Sequence, residues 1–461
     1  MRTAINLVLN LALVCGCVLT AQAREEFRRE FSQTVTLAPG HSFRIENADG
    51  NVLIHTQPNG EAAIRATIQC SAPTAEEARR CAGRIQILVD QGGGNLSVRT
   101  QLPSSTLSNT GFSVNYDLDV PESAPLEIRN RFGGISLTGT HANTIINSAN
   151  GNVTLSDGHG RQQIENSFGS VEIRGNNGDV IVRNTNGDVT AADISGTLDI
   201  SDRFGKIRVT NAARGLTIHS DNGNIEAFRV GGVATISNSF GPVVVSEARS
   251  DLNVHNQNGG ITANGVGGAA DLQTTFGQVQ FTRIAKSLTV HAQNTGVSGQ
   301  DVGGAAIVET TFAPVDLRDL KAGARITAGN SPIKLASVAG EIYAKTSFAQ
   351  VRLDSAAGPV TVENNNGSVT IDARPSRPGL ECQPIVVHTS FSPIRVSVPA
   401  GGPGYQVAAS TSFGSIRTDH DVRVTGELAA GSLHGRIGNG SCPLRLNDQN
   451  GDIEIVKAVN R

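Results

Sequence analysis

The sequence predicts an all-β protein: a β-solenoid (β-helix) of 18-residue two-strand units paired into 36-residue repeats. The ends are capped, and one short helix lies in the N-terminal cap. Three observations carry this reading. Phe132, Phe168, Phe204, Phe240, Phe276, Phe312 and Phe348 recur every 36 residues. Asn150, Asn186, Asn222, Asn258, Asn294, Asn330 and Asn366 fall halfway between them, so a marker returns every 18 residues without one insertion. Between markers, apolar and polar residues alternate with the period of a strand that has one inward and one outward face.

Composition supports the class. The chain has 461 residues, no Trp, one Met and 52 Gly, so Val, Ile, Leu, Ala and Phe must fill its core. Such a mixture of β-branched residues and turn formers suits short strands joined by tight bends. A net charge of −3 supplies no general attraction to nucleic acid.

From the N-terminus, residues 1–23 read as a signal peptide. Arg2 supplies its positive N-terminal region, "INLVLNLALVCGCVLT" its apolar run, and Ala21-Gln22-Ala23 a small-residue cleavage site. The run is shorter than a membrane-spanning helix needs, and no second one follows. The mature chain is therefore expected to be exported to the periplasm, cell surface or medium. Lipoprotein processing at Cys17 is the alternative. Four cysteines remain after cleavage, and three pairings of them are open. Nearest pairing, Cys70 with Cys81 and Cys382 with Cys442, staples each end; no CxxC or neighbouring His suggests zinc.

Residues 24–125 form a strand-rich cap. Within it "APTAEEARRCAGR" offers Thr74 as a helix N-cap with Glu77 three residues on, and Cys81 on the helix would face Cys70. Residues 126–373 are the regular repeats. "FGKIRVTNAARGLTIHSD" (204–221) and "NGNIEAFRVGGVATISNS" (222–239) each read as strand, turn, strand. Asn-Gly is a strong turn signal, and Gly after Phe serves the same conformation. A Phe at this bend is expected to turn inward and stack on its counterparts, with Asn building an amide ladder at the equivalent bend. Small pairs (Gly231-Gly232, Gly267-Gly268) follow the Asn markers and basic residues (Arg214, Arg249) follow the Phe markers. That difference favours a 36-residue, four-strand coil over an 18-residue one. Residues 374–461 continue as irregular coils, with Pro375, Pro378 and Pro384 in a loop.

Little here announces chemistry. His219, His255 and His291, 36 residues apart, should point outward in a row; a solvated ladder is the plainer reading than a metal site. Asp179, Asp188 and Asp452 follow Asn-Gly, but the dense glycine pattern of calcium nonapeptide repeats is missing. No GxSxG, HExxH, P-loop or dinucleotide fingerprint occurs. No catalytic, cofactor or metal residue is assigned.

The segments "FRIENADGNVLIHTQ", "APTAEEA", "IQILVDQGGGNLSV" and "FSVNYDLDVPESAPLEIRNRFGGISL", followed by "NGDVTAADISGTLDI"-type units, resemble the bacterial putative-adhesin family. The resemblance covers nearly all of the mature chain. It implies a bacterial source, an exported β-solenoid-like envelope protein, no cofactor and no catalytic residues. The expected function is thus non-enzymatic: surface adhesion or envelope interaction, with a surface glycan or envelope protein as partner. A polysaccharide lyase or hydrolase, with a cleft near 374–384 or 91–113, and an envelope scaffold are the alternatives.

Overall fold

In the computed structural model, residues 24–103, 109–374, 382–425 and 431–458 are described. The signal-peptide segment and Pro375 and Pro378 lie outside them. Each turn of the solenoid supplies one strand to each of two parallel sheets. In a representative turn, Leu198–Phe204 belongs to the first sheet and Ile207–Ala212 to the second, and Leu216–Asn222 returns to the first. Register fixes the size of the turn: Asn186 pairs with Phe204, Phe204 with Asn222, and Asn222 with Phe240.

The coil is therefore 18 residues, and the expectation of a 36-residue coil is wrong. Two strands and two short bends already return the chain to its start. The 36-residue period is an alternation of side chains laid on an 18-residue geometry.

Leu198, Ile200, Ile207, Val209 and Ala212 of this turn point inward and are buried. Each large aliphatic side chain so placed contributes roughly 1.5–3 kcal/mol relative to exposure. Ala212 lies inside although strict alternation would put it outside. Asn211 before it has φ 58°, and this left-handed residue skips one position of the pleat. Asp157, Asp193, Arg229, Glu247, Arg283, Asp301, Asp319, Ser337 and Ser355 repeat that conformation at 18-residue steps, with Gly175 and Gly265 at the remaining ones. None of these is β-branched, as a left-handed column requires.

Both ends depart from the simple coil. At the N-terminal end Glu25–Thr36 pairs antiparallel with Glu61–Ala72, which pairs antiparallel with Gly111–Pro121. That strand lies parallel to Val52–Gln57, which joins the first regular turn at Ile135–Thr138. The helix spans Ala75–Arg84, and the Thr74 side chain accepts the Glu77 amide at 3.3 Å. Its buried face, Ala78, Cys81 and Ala82, packs on the first two of these strands. At the C-terminal end the chain doubles back: Ile394–Val398 pairs with Ile453–Lys457, which in turn pairs with Ile416–Thr418. The last strand in sequence is thus inserted between two earlier ones.

Candidate interaction surface

The bend between the two sheets is built from two columns of side chains. The inner column holds Asn166, Asn184, Asp202, Ser220, Asn238, Asn256, Thr274 and Asn364, all buried. The asparagines and Thr274 donate to backbone carbonyls that the turning chain leaves inside, whereas Ser220 Oγ has no partner. Asn184 Nδ2 donates to Gly187 O at 2.7 Å, and Asn238 Nδ2 to Gly241 O at 3.0 Å and to Gly223 O at 3.2 Å. Asp202 is the one carboxylate among these eight. Asn184 Nδ2 reaches its Oδ1 at 3.1 Å, and its Oδ2 finds no partner. Burial pushes its pKa up to about 6, outweighing the Asn184 hydrogen bond.

Two residues further along each strand lies the outer column, and here the inward Phe stack fails. Phe132, Phe168, Phe204, Phe240, Phe276, Phe312 and Phe348 all project to solvent, between 42% and 68% exposed. Phe240 shares the parity of the buried Ile236 and Asn238. Parity stops governing direction where the backbone bends, and Gly241, at φ 108°, turns the chain there. A Cβ on Gly241 would lie 2.5 Å from Gly223 O, so the neighbouring turn leaves no room for a side chain. The rings do not stack either. Asn222 sits between Phe204 and Phe240 in the same column, so successive rings are two strand spacings apart, ~9.6 Å. The halfway asparagines form no amide ladder; Asn150 and Asn186 fold back to donate to the carbonyls of Arg131 and Ser167 on the preceding turn.

His219, His255 and His291 occupy one outward column of the first sheet, interleaved with Ser237 and Gln273. They too are two spacings apart. His255 Nδ1 lies 3.3 Å from Gln273 Oε1, and His291 Nδ1 lies 3.1 Å from Glu309 Oε2. Among the described residues, no three His, Cys, Asp or Glu side chains converge as metal ligands would.

The aspartates after Asn-Gly have a structural task. Asp179 Oδ1 accepts both the amide and the hydroxyl of Thr197 on the next turn, each at 2.8 Å. Asp188 accepts the Lys206 amide at 2.9 Å, and Asp452 the Ser415 amide at 2.7 Å. The backbone hydrogen bonds hold Asp179 and Asp452 below the usual carboxylate range. Cys70 and Cys81 are brought to disulfide distance, with Cα atoms 6.1 Å apart, and Cys382 and Cys442 likewise at 5.2 Å.

Two broad grooves run over the outer faces. One, about 850 Å³, crosses the first sheet over Glu46, Arg129, Asn147, Glu165, Arg183 and Ser201. The other, about 990 Å³, lies on the second sheet at the C-terminal end. Its four carboxylates are all engaged: Asp354 with Arg352, Asp372 with Arg374, Glu454 with Arg395, and Asp419 with the Lys457 amide.

Neither a family model nor a curated protein matches the chain. Two solved structures are similar to it. One is a "putative cell adhesion protein" from Clostridium sporogenes, 8% identical, covering 94% of this chain and 100% of its own, with a TM-score of 0.15. The other is a "putative adhesin" from Parabacteroides distasonis, 11% identical, covering 75% of this chain and 97% of its own, with a TM-score of 0.14. Both carry adhesion names, as does the family that the sequence resembles. At TM-scores this low neither transfers a role to this chain. Among the described residues, no helix is long and apolar enough to cross a membrane.

Proposed function

We propose that this protein is an exported, non-enzymatic, adhesin-like solenoid that engages a surface glycan or an envelope protein. The observation that carries the reading is the outer face of the first sheet. Its groove repeats polar and charged side chains of the same placement, Arg129, Asn147, Glu165, Arg183 and Ser201, once per turn. A rigid row of weak polar contacts, one per turn, suits a repetitive ligand through avidity. Catalysis needs one unlike place, and the carboxylates of the C-terminal groove are each occupied by a partner. Residues 1–23 direct export. The units 24–125 and 374–461 cap the repeats of 126–373, and disulfides Cys70–Cys81 and Cys382–Cys442 close after export. Non-reducing peptide mapping should recover those two pairs; a link from Cys70 to Cys382 or Cys442 refutes the pairing.

Screening the purified exported protein on bacterial and host glycans, and against envelope extracts, tests the function. Saturable binding without products is expected. Turnover of any polymer overturns the reading in favour of a polysaccharide-acting enzyme.

A further inference from the structure

The outer column of the bend continues past the regular repeats in a way that chain order conceals. Phe391, Asn450 and Phe413 each stand three residues before a strand of the second sheet, beginning at Ile394, Ile453 and Ile416. In sequence the order is Phe, Phe, Asn. In space, because Ile453–Lys457 is inserted between the other two strands, the order is Phe391, Asn450, Phe413. Asn450 also folds back like its counterparts, its Nδ2 donating to Ser390 O at 3.3 Å. The alternation of Phe and Asn is thus kept over seventeen turns, from Phe132 to Phe413, and it survives where copying of a 36-residue unit cannot account for it. It is a property of the surface.

That surface is a ridge about 77 Å long at ~4.8 Å per turn. Nine phenylalanines stand on it, 42% to 85% exposed, and together show roughly 1,000 Å² of apolar ring. Over the last eleven markers the flanks are uncharged. From Ser239 onward, the residues just before and just after each marker are Ser, Thr, Gln, Asn, Gly or Ala, and none is charged; in the earlier turns Arg131, Arg203 and Asp221 precede their markers, the last two paired with each other. Loss of charge around aromatic anchors marks the centre of a protein interface and is unusual for a solvated edge.

We infer that the ridge is the docking surface for a second copy of this chain, running antiparallel across a two-fold axis. This goes beyond the proposed adhesive role and stands or falls apart from it. Each ring is a knob and each shorter asparagine between two rings a gap, at one common spacing of ~9.6 Å. Another copy carries that spacing without mismatch along its whole length. A two-fold axis midway between a Phe and the neighbouring Asn sets every overlapping ring of one copy over an asparagine of the other. Such an interface is isologous, the commonest kind in homo-oligomers. The ring area alone exceeds the ~800 Å² per partner of a standard stable interface. A glycan fits less well: the surface is a convex ridge, and its rings lack the hydroxyl or indole N–H that would bond to sugar.

Sedimentation velocity on the purified exported protein tests the inference. The wild type should sediment as a dimer at micromolar concentration, and high salt should leave the dimer largely intact because apolar rings, with uncharged flanks from Ser239 onward, supply the contact. Replacing Phe204, Phe240 and Phe276 together by Ser should halve the sedimenting mass with the thermal midpoint of the dilute protein unchanged. Filling the gaps with Asn222→Arg and Asn258→Arg should do the same with every ring still present. A wild type that stays monomeric at about 100 µM, where a standard-size interface is filled, overturns the inference. So does a dimer that survives both sets of changes. A monomer that binds a glycan only while the three rings are present also overturns it, and reassigns the ridge to carbohydrate.

Discussion

Asn238 and Phe240 stand two residues apart on one strand, and their environments are the reverse of their chemistry: the amide is 3% exposed and the ring 52%. The contrast recurs along the bend, with Asn166 and Asn184 inside and Phe168 and Phe204 outside. It teaches that the bend of a parallel coil is a polar place internally. Carbonyls of Gly223 and Gly241 turn toward the core there, and an apolar side chain in the inner position would leave them unbonded. The aromatic position is freed from packing and is available for another use.

Ile236, one inward position earlier, supplies the scale for breaking this comparison. Truncation to Ala should cost about 2–5 kcal/mol, as for any well-packed core aliphatic. Asn238→Ala should come next, up to about 3 kcal/mol, because Gly223 O loses its side-chain donor in a buried site. Urea denaturation midpoints would rank the two. An Asn238→Ala change of only a few tenths would mean that the inner column merely fills space.

Asp202 sharpens the same point through pH. Its native pKa, about 6, stands above the ordinary value of 3.8. Between those values the folded state keeps a proton that the unfolded chain releases, so folding stability falls as pH rises through that window. Asp202→Asn removes the titration and restores the side chain of Asn184 one turn away. The variant should match wild type near pH 3.5 and exceed it by about 1–2 kcal/mol at pH 7, where the wild-type carboxylate is buried and charged. Equal gains at both pH values would show that the carboxylate's charge is not what destabilises.

Much of this was legible in the sequence, and the rest was hidden for definable reasons. The 18-residue marker, the strand alternation, and the helix signalled by Thr74 and Glu77 all follow from local chemistry that neighbours do not override. The length of the coil was not fixed by it. Phe204 and Phe240 repeat at 36 residues whether or not Asn222 lies between them, and only interstrand register decides. The direction of the rings does not follow from strand parity, because parity ends where the backbone bends. The left-handed column is hard to see in the sequence because Asp193, Asn211 and Arg229 resemble ordinary outward polar residues. A usable signal was present: no β-branched residue occupies that position in twelve successive turns, and the next apolar residue comes three positions after the last, as from Val209 to Ala212. The ordering of Phe391, Asn450 and Phe413 was beyond reach, since nothing local says that the last strand is inserted between earlier ones.

The smallest expected effect separates the two columns most cleanly. Inward and stacked, Phe240 would be a core aromatic, and Phe240→Ala would cost about 3–5 kcal/mol. On the ridge it is half exposed and its ring touches no second ring, so truncation in the dilute monomer should cost less than about 0.5 kcal/mol. The order along one strand is then Ile236, Asn238, Phe240, falling from a full core residue to an almost neutral one within five positions. The measurement is chemical denaturation at a protein concentration low enough that self-association contributes nothing. Repeating it at high concentration adds a second readout: wild type gains stability with concentration by mass action, and Phe240→Ala should gain less. A cost near that of Ile236→Ala in the dilute protein would return the ring to the core and remove the knob from the ridge.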